Sequence, residues 1–86
     1  MRVLIASPLR SYTGGRQEVE AEGSSVDEVL HDLNRQFPGM RFRMVDEQDR
    51  LREHIRIFFN AERCASLADR IDGPGEFQII CAISGG

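Results

Sequence analysis

The sequence predicts an α+β fold in which one main helix packs across a mixed β-sheet. Three observations predict it. Strand patterns stand near both ends of the chain, a single strongly amphipathic segment lies between them, and 41% of the 86 residues are hydrophobic. That hydrophobic content is enough for one compact core but not for two. Strands and helix that do not alternate along the chain favour the α+β class. We therefore expect one domain over residues 1–83.

The first two strands are predicted near the N-terminus. The run Met1 to Ala6 is rich in aliphatic residues and ends at Ser7-Pro8, which is typical of a strand followed by a break. Gly14-Gly15 then marks a turn. Residues 16–22 alternate apolar with acidic side chains, the period-two pattern of a strand with one wet face. The two strands are predicted to form a hairpin with a long connection.

The main helix is predicted after Gly23. Ser25 and Glu28 have the spacing of a capping box, and Pro38-Gly39 ends the pattern. Between them, apolar residues recur at intervals of three and four, which places them on one face of a helix. They are Val26, Val29, Leu30, Leu33 and Phe37.

The second half of the chain is predicted to hold two more strands. Residues 40–52 are mostly charged with irregular apolar spacing, so we expect a surface excursion with a turn near residues 47–49. Residues 55–60 alternate and predict the third strand. Residues 61–71 are interpreted as a loop with a possible helical turn. After a turn at residues 72–75, the apolar run from Phe77 to Ile83 predicts the last strand.

The order of elements points to one arrangement. The first and last strands are both strongly apolar, so both are expected at the centre of the sheet, side by side, with the helix across one face. This is the β-grasp, or ubiquitin-like, arrangement. Strand periodicity then places Leu4, Phe58 and Ile80 on the face opposite the helix. Large apolar side chains near water predict a partner-binding site. The alternative is that residues 40–52 or a dimer contact cover them.

Charge and composition exclude several classes of function. The chain has 14 acidic and 11 basic residues and a net charge of -3, which argues against direct nucleic-acid binding. No apolar run approaches the roughly 18 residues of a membrane span. No secretion leader is recognised, so we expect a cytoplasmic protein with no membrane association.

The cysteines and histidines suggest no catalytic centre. Cys64 and Cys81 are interpreted as free thiols, Cys81 as a small buried hydrophobe and Cys64 as a thiolate slightly activated by the adjacent arginine. His31 and His54 are isolated in the sequence and are interpreted as solvated or structural residues. With no metal-ligand spacing and no nucleophilic triad pattern, we expect no metal site and no catalytic side chain.

The most informative motif is the closing Ser84-Gly85-Gly86. It follows the last predicted strand directly, so we expect a flexible tail that projects beyond the sheet. Glycine has no Cβ, so a partner can close tightly around the backbone and reach the terminal carboxylate of Gly86. Two final glycines arise by chance only about once in 200 chains at average glycine frequency. The alternative interpretation is an ordinary frayed terminus.

These features together resemble the MoaD/ThiS family of sulfur carriers, the prokaryotic relatives of ubiquitin. The resemblance covers essentially the whole chain. The terminal Ser-Gly-Gly is specific for function, whereas the other stretches mark the fold. Cys81 stands where many members have proline. The stretches that carry the resemblance are residues 9–15, 37–39, 54–62 and 75–86.

The resemblance implies a carrier rather than an enzyme. A ubiquitin-activating-type adenylating enzyme, using ATP and Mg, would convert the Gly86 carboxylate to an acyl-adenylate. A persulfide sulfur donor would then replace the nucleotide and give a thiocarboxylate. A sulfur-accepting synthase would receive this sulfur in the biosynthesis of a cofactor such as molybdopterin or thiamine, of an amino acid, or of thiolated tRNA. The carrier itself would bind no cofactor.

Two alternatives stay open. The first is a ubiquitin-like protein modifier that forms isopeptide conjugates through Gly86. The second is the small subunit of a molybdopterin-synthase-like complex.

Overall fold

A computed structural model describes residues 1–82 of the chain. Its centre is a five-stranded sheet in the order β2-β1-β5-β3-β4. β1 and β5 pair in parallel, whereas the other neighbours are antiparallel. The mixed sheet and the central position of the first and last strands are therefore as predicted. The elements are β1 (Arg2–Leu4), a 3-10 turn (Ser7–Leu9), β2 (Glu18–Glu20), α1 (Val26–Gln36), α2 (Met40–Met44), β3 (Ile55–Phe59), β4 (Glu62–Cys64) and β5 (Glu76–Cys81).

The core lies between the sheet and α1. Val3 is paired with Phe77, and Ile57 with Ile79. Buried side chains of the adjacent strands β1, β5 and β3 therefore lie side by side on the inner face of the sheet. The apolar face of α1 completes this cluster, and all four of its apolar residues are fully buried. Burial of this kind is the main favourable term in folding. No helix within residues 1–82 is long and apolar enough to cross a membrane.

The start of α1 confirms the predicted helix boundary. Ser25 Oγ accepts a hydrogen bond from the Glu28 amide at 3.2 Å, as a capping residue does. The Glu28 carboxylate reaches back to the amide of Ser24, at 3.1 Å, rather than to that of Ser25. The capping box is therefore present with its return bond displaced by one residue.

Residues 40–52 differ from the prediction. They begin with the short helix α2, and Met40, Met44 and Val45 are almost completely buried. The two methionines are four residues apart and point to the same side of the helix, whereas the residues between them hide this periodicity. The predicted turn is present, because Asp46 Oδ1 accepts hydrogen bonds from the amides of Gln48 and Arg50 at 2.9 and 3.0 Å.

The segment after β3 also differs, because it contains a strand that the sequence interpretation assigned to a loop. β4 pairs with β3 across a two-residue turn at Asn60 and Ala61, which have φ values of 50° and 69°. Two positive φ values are typical of the tight turns that join antiparallel strands. Glycine is the usual residue at the second of these positions, so Ala61 conceals the turn. β4 itself has only three residues, two of them exposed.

Candidate functional site

The site of interest is the end of β5, where the described part of the chain stops. The amide of Ala82 donates to the carbonyl oxygen of His54 at 2.7 Å, so the chain is tied to the sheet up to this residue. The predicted tail Ser84-Gly85-Gly86 and residue Ile83 lie outside the described residues. The flexibility of the tail therefore stays a prediction.

Leu4, Phe58 and Ile80 lie on the face of the sheet opposite α1, and each is half-buried. Their arrangement is less uniformly apolar than the periodicity suggested. Gln78 is paired with both Leu4 and Phe58, so an amide side chain lies between them, and Ile80 is paired with Arg56. The structure thus brings the three predicted residues to one face, interspersed with polar side chains.

A groove of about 410 Å³ runs beside Leu4 and Ile80, and we refer to it as the sheet groove. Its other wall is the segment that follows β1, with Arg10 and Gln17 at the rim. Arg10 Nε donates to the Ile5 carbonyl oxygen at 3.0 Å, which fixes this side chain against the groove. Within the described chain, the lining comes from residues 4–17 and 78–81. The segment 40–52 therefore does not cover this groove.

A second groove of about 740 Å³ opens at the end of the sheet, and we refer to it as the terminal groove. It lies between the 3-10 turn with its following loop and α2. Pro8 and Cys81 line both grooves, so the two meet at the end of β5. The terminal groove is lined by Pro8, Leu9, Ser11, Tyr12, Phe42, Arg43, Arg52, His54, Cys81 and Ala82.

Phe42 is the most exposed large apolar side chain of the described residues, with 57% of its surface accessible. The Arg52 guanidinium stacks over its ring at 4.7 Å from the centroid, and Arg52 Nε donates to the Phe42 carbonyl oxygen at 2.8 Å. Arg43 Nε donates to the Tyr12 hydroxyl at 2.7 Å. Phe42 was not among the site residues predicted from the sequence. The four-residue spacing of Met40 and Met44 was the signal, because it turns Phe42 outward.

The predicted activation of Cys64 is wrong. Its thiol is buried, and this burial, together with the nearby carboxylates of Asp69 and Glu62, raises its pKa. The neighbouring arginine side chain is exposed and does not offset these effects. Cys81 is half-buried, and burial raises its pKa as well. Both cysteines are free, as predicted.

The two histidines are both exposed. His31 Nε2 lies 3.5 Å from Asp27 Oδ2 on the surface of α1, and His54 lies at the rim of the terminal groove. Within residues 1–82, no cluster of three or more His, Cys, Asp or Glu side chains is arranged to hold a metal ion. The described side chains can therefore bind a partner through apolar and cationic contacts.

Comparison with known proteins places this geometry in a family. The model of the ThiS family matches residues 3–86. Sulfur carrier protein CysO of Mycobacterium tuberculosis is 30% identical, and the match covers 100% of both chains. The crystal structure of M. tuberculosis CysO superposes with a TM-score of 0.88 at 29% identity, over 95% of this chain and 98% of that chain.

Two further structures share the fold. A chain of the Amycolatopsis orientalis BexX/CysO complex has a TM-score of 0.89 at 31% identity, covering 99% of this chain and 98% of that one. SAMP1 of Haloferax volcanii has a TM-score of 0.77 at 25% identity, covering 100% and 98%. The fold is therefore the ubiquitin-like β-grasp. Because the family model spans nearly the whole sequence and CysO matches it from end to end, the chain belongs to the ThiS family.

Proposed function

We propose that this protein is a sulfur carrier that transports sulfur as a thiocarboxylate on Gly86. One observation carries the proposal: the family match extends to residue 86 and so includes Ser84-Gly85-Gly86, and the matching relative CysO is a sulfur carrier protein. Shared descent over the whole chain, including its last residues, supports the same use of the terminal carboxylate.

The proposed chemistry takes place on the chain rather than by it. A carboxylate is a poor electrophile, so its oxygen first attacks the α-phosphorus of ATP on a Mg-dependent adenylating enzyme, and pyrophosphate leaves. The terminal sulfur of a persulfide then attacks the acyl carbon, and AMP leaves. A thiol finally reduces the S–S bond and releases the thiocarboxylate. Burial raises the pKa of Cys64 and of Cys81 and so disfavours their reactive thiolates, which supports external thiols in these roles.

The two grooves supply the surface that partners would recognise. An enzyme that holds the tail must approach the end of β5, where the sheet groove and the terminal groove meet. Leu4, Phe58 and Ile80 are proposed to contact the adenylating enzyme or the sulfur-accepting synthase. Similarity to a chain of the BexX/CysO complex supports association with a partner protein.

A protein modifier is the second candidate, and its support is the structural likeness to SAMP1, a small archaeal modifier protein. Here the acyl-adenylate at Gly86 would be joined to a lysine of a target protein. Lysine-linked conjugates on a denaturing gel would favour the modifier, whereas exchange of one oxygen for one sulfur at the terminus would favour the carrier.

ATP–pyrophosphate exchange with the cognate adenylating enzyme tests the first step. We expect deletion of Gly86 to abolish exchange. Ile80→Ser removes a half-buried side chain of the sheet groove near the end of β5 and is expected to raise the KM for the carrier about tenfold. Leu67→Ser is the matched control, since Leu67 is also half-buried but lies away from both grooves. Unchanged exchange after deletion of Gly86 would contradict the proposal.

A further inference from the structure

The terminal groove combines an exposed aromatic ring with two guanidinium groups that are fixed in place. Arg52 is held through its Nε by the Phe42 carbonyl oxygen, and Arg43 through its Nε by the Tyr12 hydroxyl. Ion pairs within residues 1–82 involve other arginines and not these two. Each side chain therefore presents its terminal nitrogens, the atoms that pair with a carboxylate, with part of its conformational freedom already lost.

The charge of this groove is opposite to that of the whole chain. The chain carries a net charge of -3, yet the lining that residues 1–82 provide holds the cationic side chains of Arg43 and Arg52 and no acidic side chain. Arg10 adds a further positive charge at the rim of the adjoining sheet groove. A local positive surface on an acidic protein favours one orientation of approach for a partner with negative charge.

We propose that the terminal groove is a docking surface for the adenylating enzyme, and that it receives an apolar side chain flanked by Asp or Glu carboxylates. The apolar side chain would pack on Phe42, and the carboxylates would pair with Arg43 and Arg52. Aromatic and arginine side chains are the residues that most often dominate interface energies. Because this groove meets the sheet groove at Pro8 and Cys81, one partner can contact both while it holds the tail. This inference rests on the proposed function.

Titration calorimetry of the chain with its adenylating enzyme, at low and at high salt, tests the docking surface. The double variant Arg43→Glu/Arg52→Glu is expected to raise Kd at least about tenfold and to weaken the salt dependence of binding. The neutral variant Arg43→Gln/Arg52→Gln serves if charge reversal disturbs the fold, and Phe42→Ala is expected to weaken binding independently. Arg63→Glu/Arg70→Glu makes the same charge change at two exposed positions outside both grooves and should leave Kd unchanged.

Equal Kd values for the wild type and both double variants would overturn the docking surface. NMR spectra of the isolated wild type and the isolated double variant give a second check. If the substitutions shift the amide resonances of residues 84–86 in the absence of the enzyme, the chain's own carboxylate is the occupant of the groove, and the docking surface is overturned. Pyrophosphate exchange in the calorimetry samples separates this inference from the proposed function. Binding that depends on the arginines without any exchange contradicts adenylation but supports the docking surface.

A second inference comes from the identity of the basic residues. All eleven are arginines. Guanidinium groups stay protonated and are not nucleophilic near neutral pH, whereas a lysine amine, with a pKa of about 10.4, supplies some neutral nucleophile. The α-amino group of Met1 donates to the Ala21 carbonyl oxygen at 2.8 Å and lies 3.5 Å from Glu20 Oε2. The surface of the chain is therefore poor in reactive amines.

We infer that the chain is a poor acceptor for its own activated carboxylate. Attack by an amine on the acyl carbon, with loss of the leaving group and of one proton, would join two copies through an amide and consume the carrier. An arginine-only surface suppresses this reaction and preserves the acyl group for sulfur. The advantage applies only to a chain whose carboxylate is activated, so this inference also rests on the proposed function.

A C-terminal alkyl thioester at Gly86, prepared without the adenylating enzyme, allows a test that is independent of adenylation. We expect the concentrated wild-type thioester to hydrolyse without forming covalent dimers on a denaturing gel. Arg63→Lys/Arg70→Lys keeps the charge at two exposed positions and is expected to form dimers. Hydroxylamine must consume both thioesters, as a positive control. Dimers of the wild type in equal yield, or none in the lysine variant, would overturn the inference.

Discussion

At the scale of single residues, burial decides the behaviour of both thiols. Cys64 lies in the core on β4, and Cys81 lies half-buried at the end of β5. Burial raises both pKa values because it disfavours the charged thiolate. The folded state therefore ionises at higher pH than the unfolded state. Ionisation of the thiols therefore lowers the free energy of unfolding at high pH. This free energy is highest below the thiol pKa of the unfolded state and falls as the pH rises through the thiol pKa of the folded state.

This shift predicts slow alkylation of Cys64. In a Cys81→Ser variant at pH 8, we expect iodoacetamide to modify Cys64 more slowly in the folded chain than in urea, and the folded rate to rise at higher pH than the unfolded rate. Mass spectrometry of timed samples measures both rates. A folded rate equal to the rate in urea would show that the thiol is accessible and normally ionised.

At the scale of elements, the short helix α2 positions the terminal groove. Its two methionines are anchored in the core, and Asn34 Oδ1 accepts hydrogen bonds from the amides of Gly39 and Arg41 at 3.1 and 3.2 Å. Gly39 has a φ of 95°, a conformation that favours glycine and allows the sharp turn from α1 into α2. The exposure of Phe42 is thus a consequence of the burial of its neighbours.

Met44→Ala tests this anchoring. Truncation of a fully buried methionine is expected to lower the free energy of unfolding by about 2–5 kcal/mol, since it leaves a cavity as well as losing burial. Arg50→Ala, at an exposed position in the same segment, should change it by less than about 0.5 kcal/mol. Urea unfolding followed by circular dichroism measures both. A loss below 0.5 kcal/mol for Met44→Ala would mean that α2 is not part of the core.

The elements also show what the sequence reveals and what it conceals. α1 was predictable because its apolar period and its cap agree over eleven residues. α2 and β4 were not, because elements of five and three residues are too short for a period to emerge. For the candidate site, the period of two placed Leu4, Phe58 and Ile80 on one face. The position of Gln78 between Leu4 and Phe58 depends on the cross-strand register, which the sequence does not give.

At the scale of the whole molecule, topology places the end of β5 between the sheet groove and the terminal groove. β5 lies in the middle of the sheet, parallel to β1, so the segment after β1 and the segment around α2 flank its end. One groove is mainly apolar sheet surface, and the other is aromatic and cationic. We propose that a partner that contacts both grooves recognises this chain by them as well as by its tail.

The central claim is that Gly86 carries the sulfur, and intact mass spectrometry tests it most directly. The chain is incubated with its adenylating enzyme, Mg-ATP, a persulfide donor and a reducing thiol, in parallel with a variant that lacks Gly86 and one that has an added residue after it. We expect replacement of one oxygen by one sulfur in the wild type and no change in either variant. Sulfur on both variants, or none on the wild type while a positive-control carrier is loaded, would contradict it.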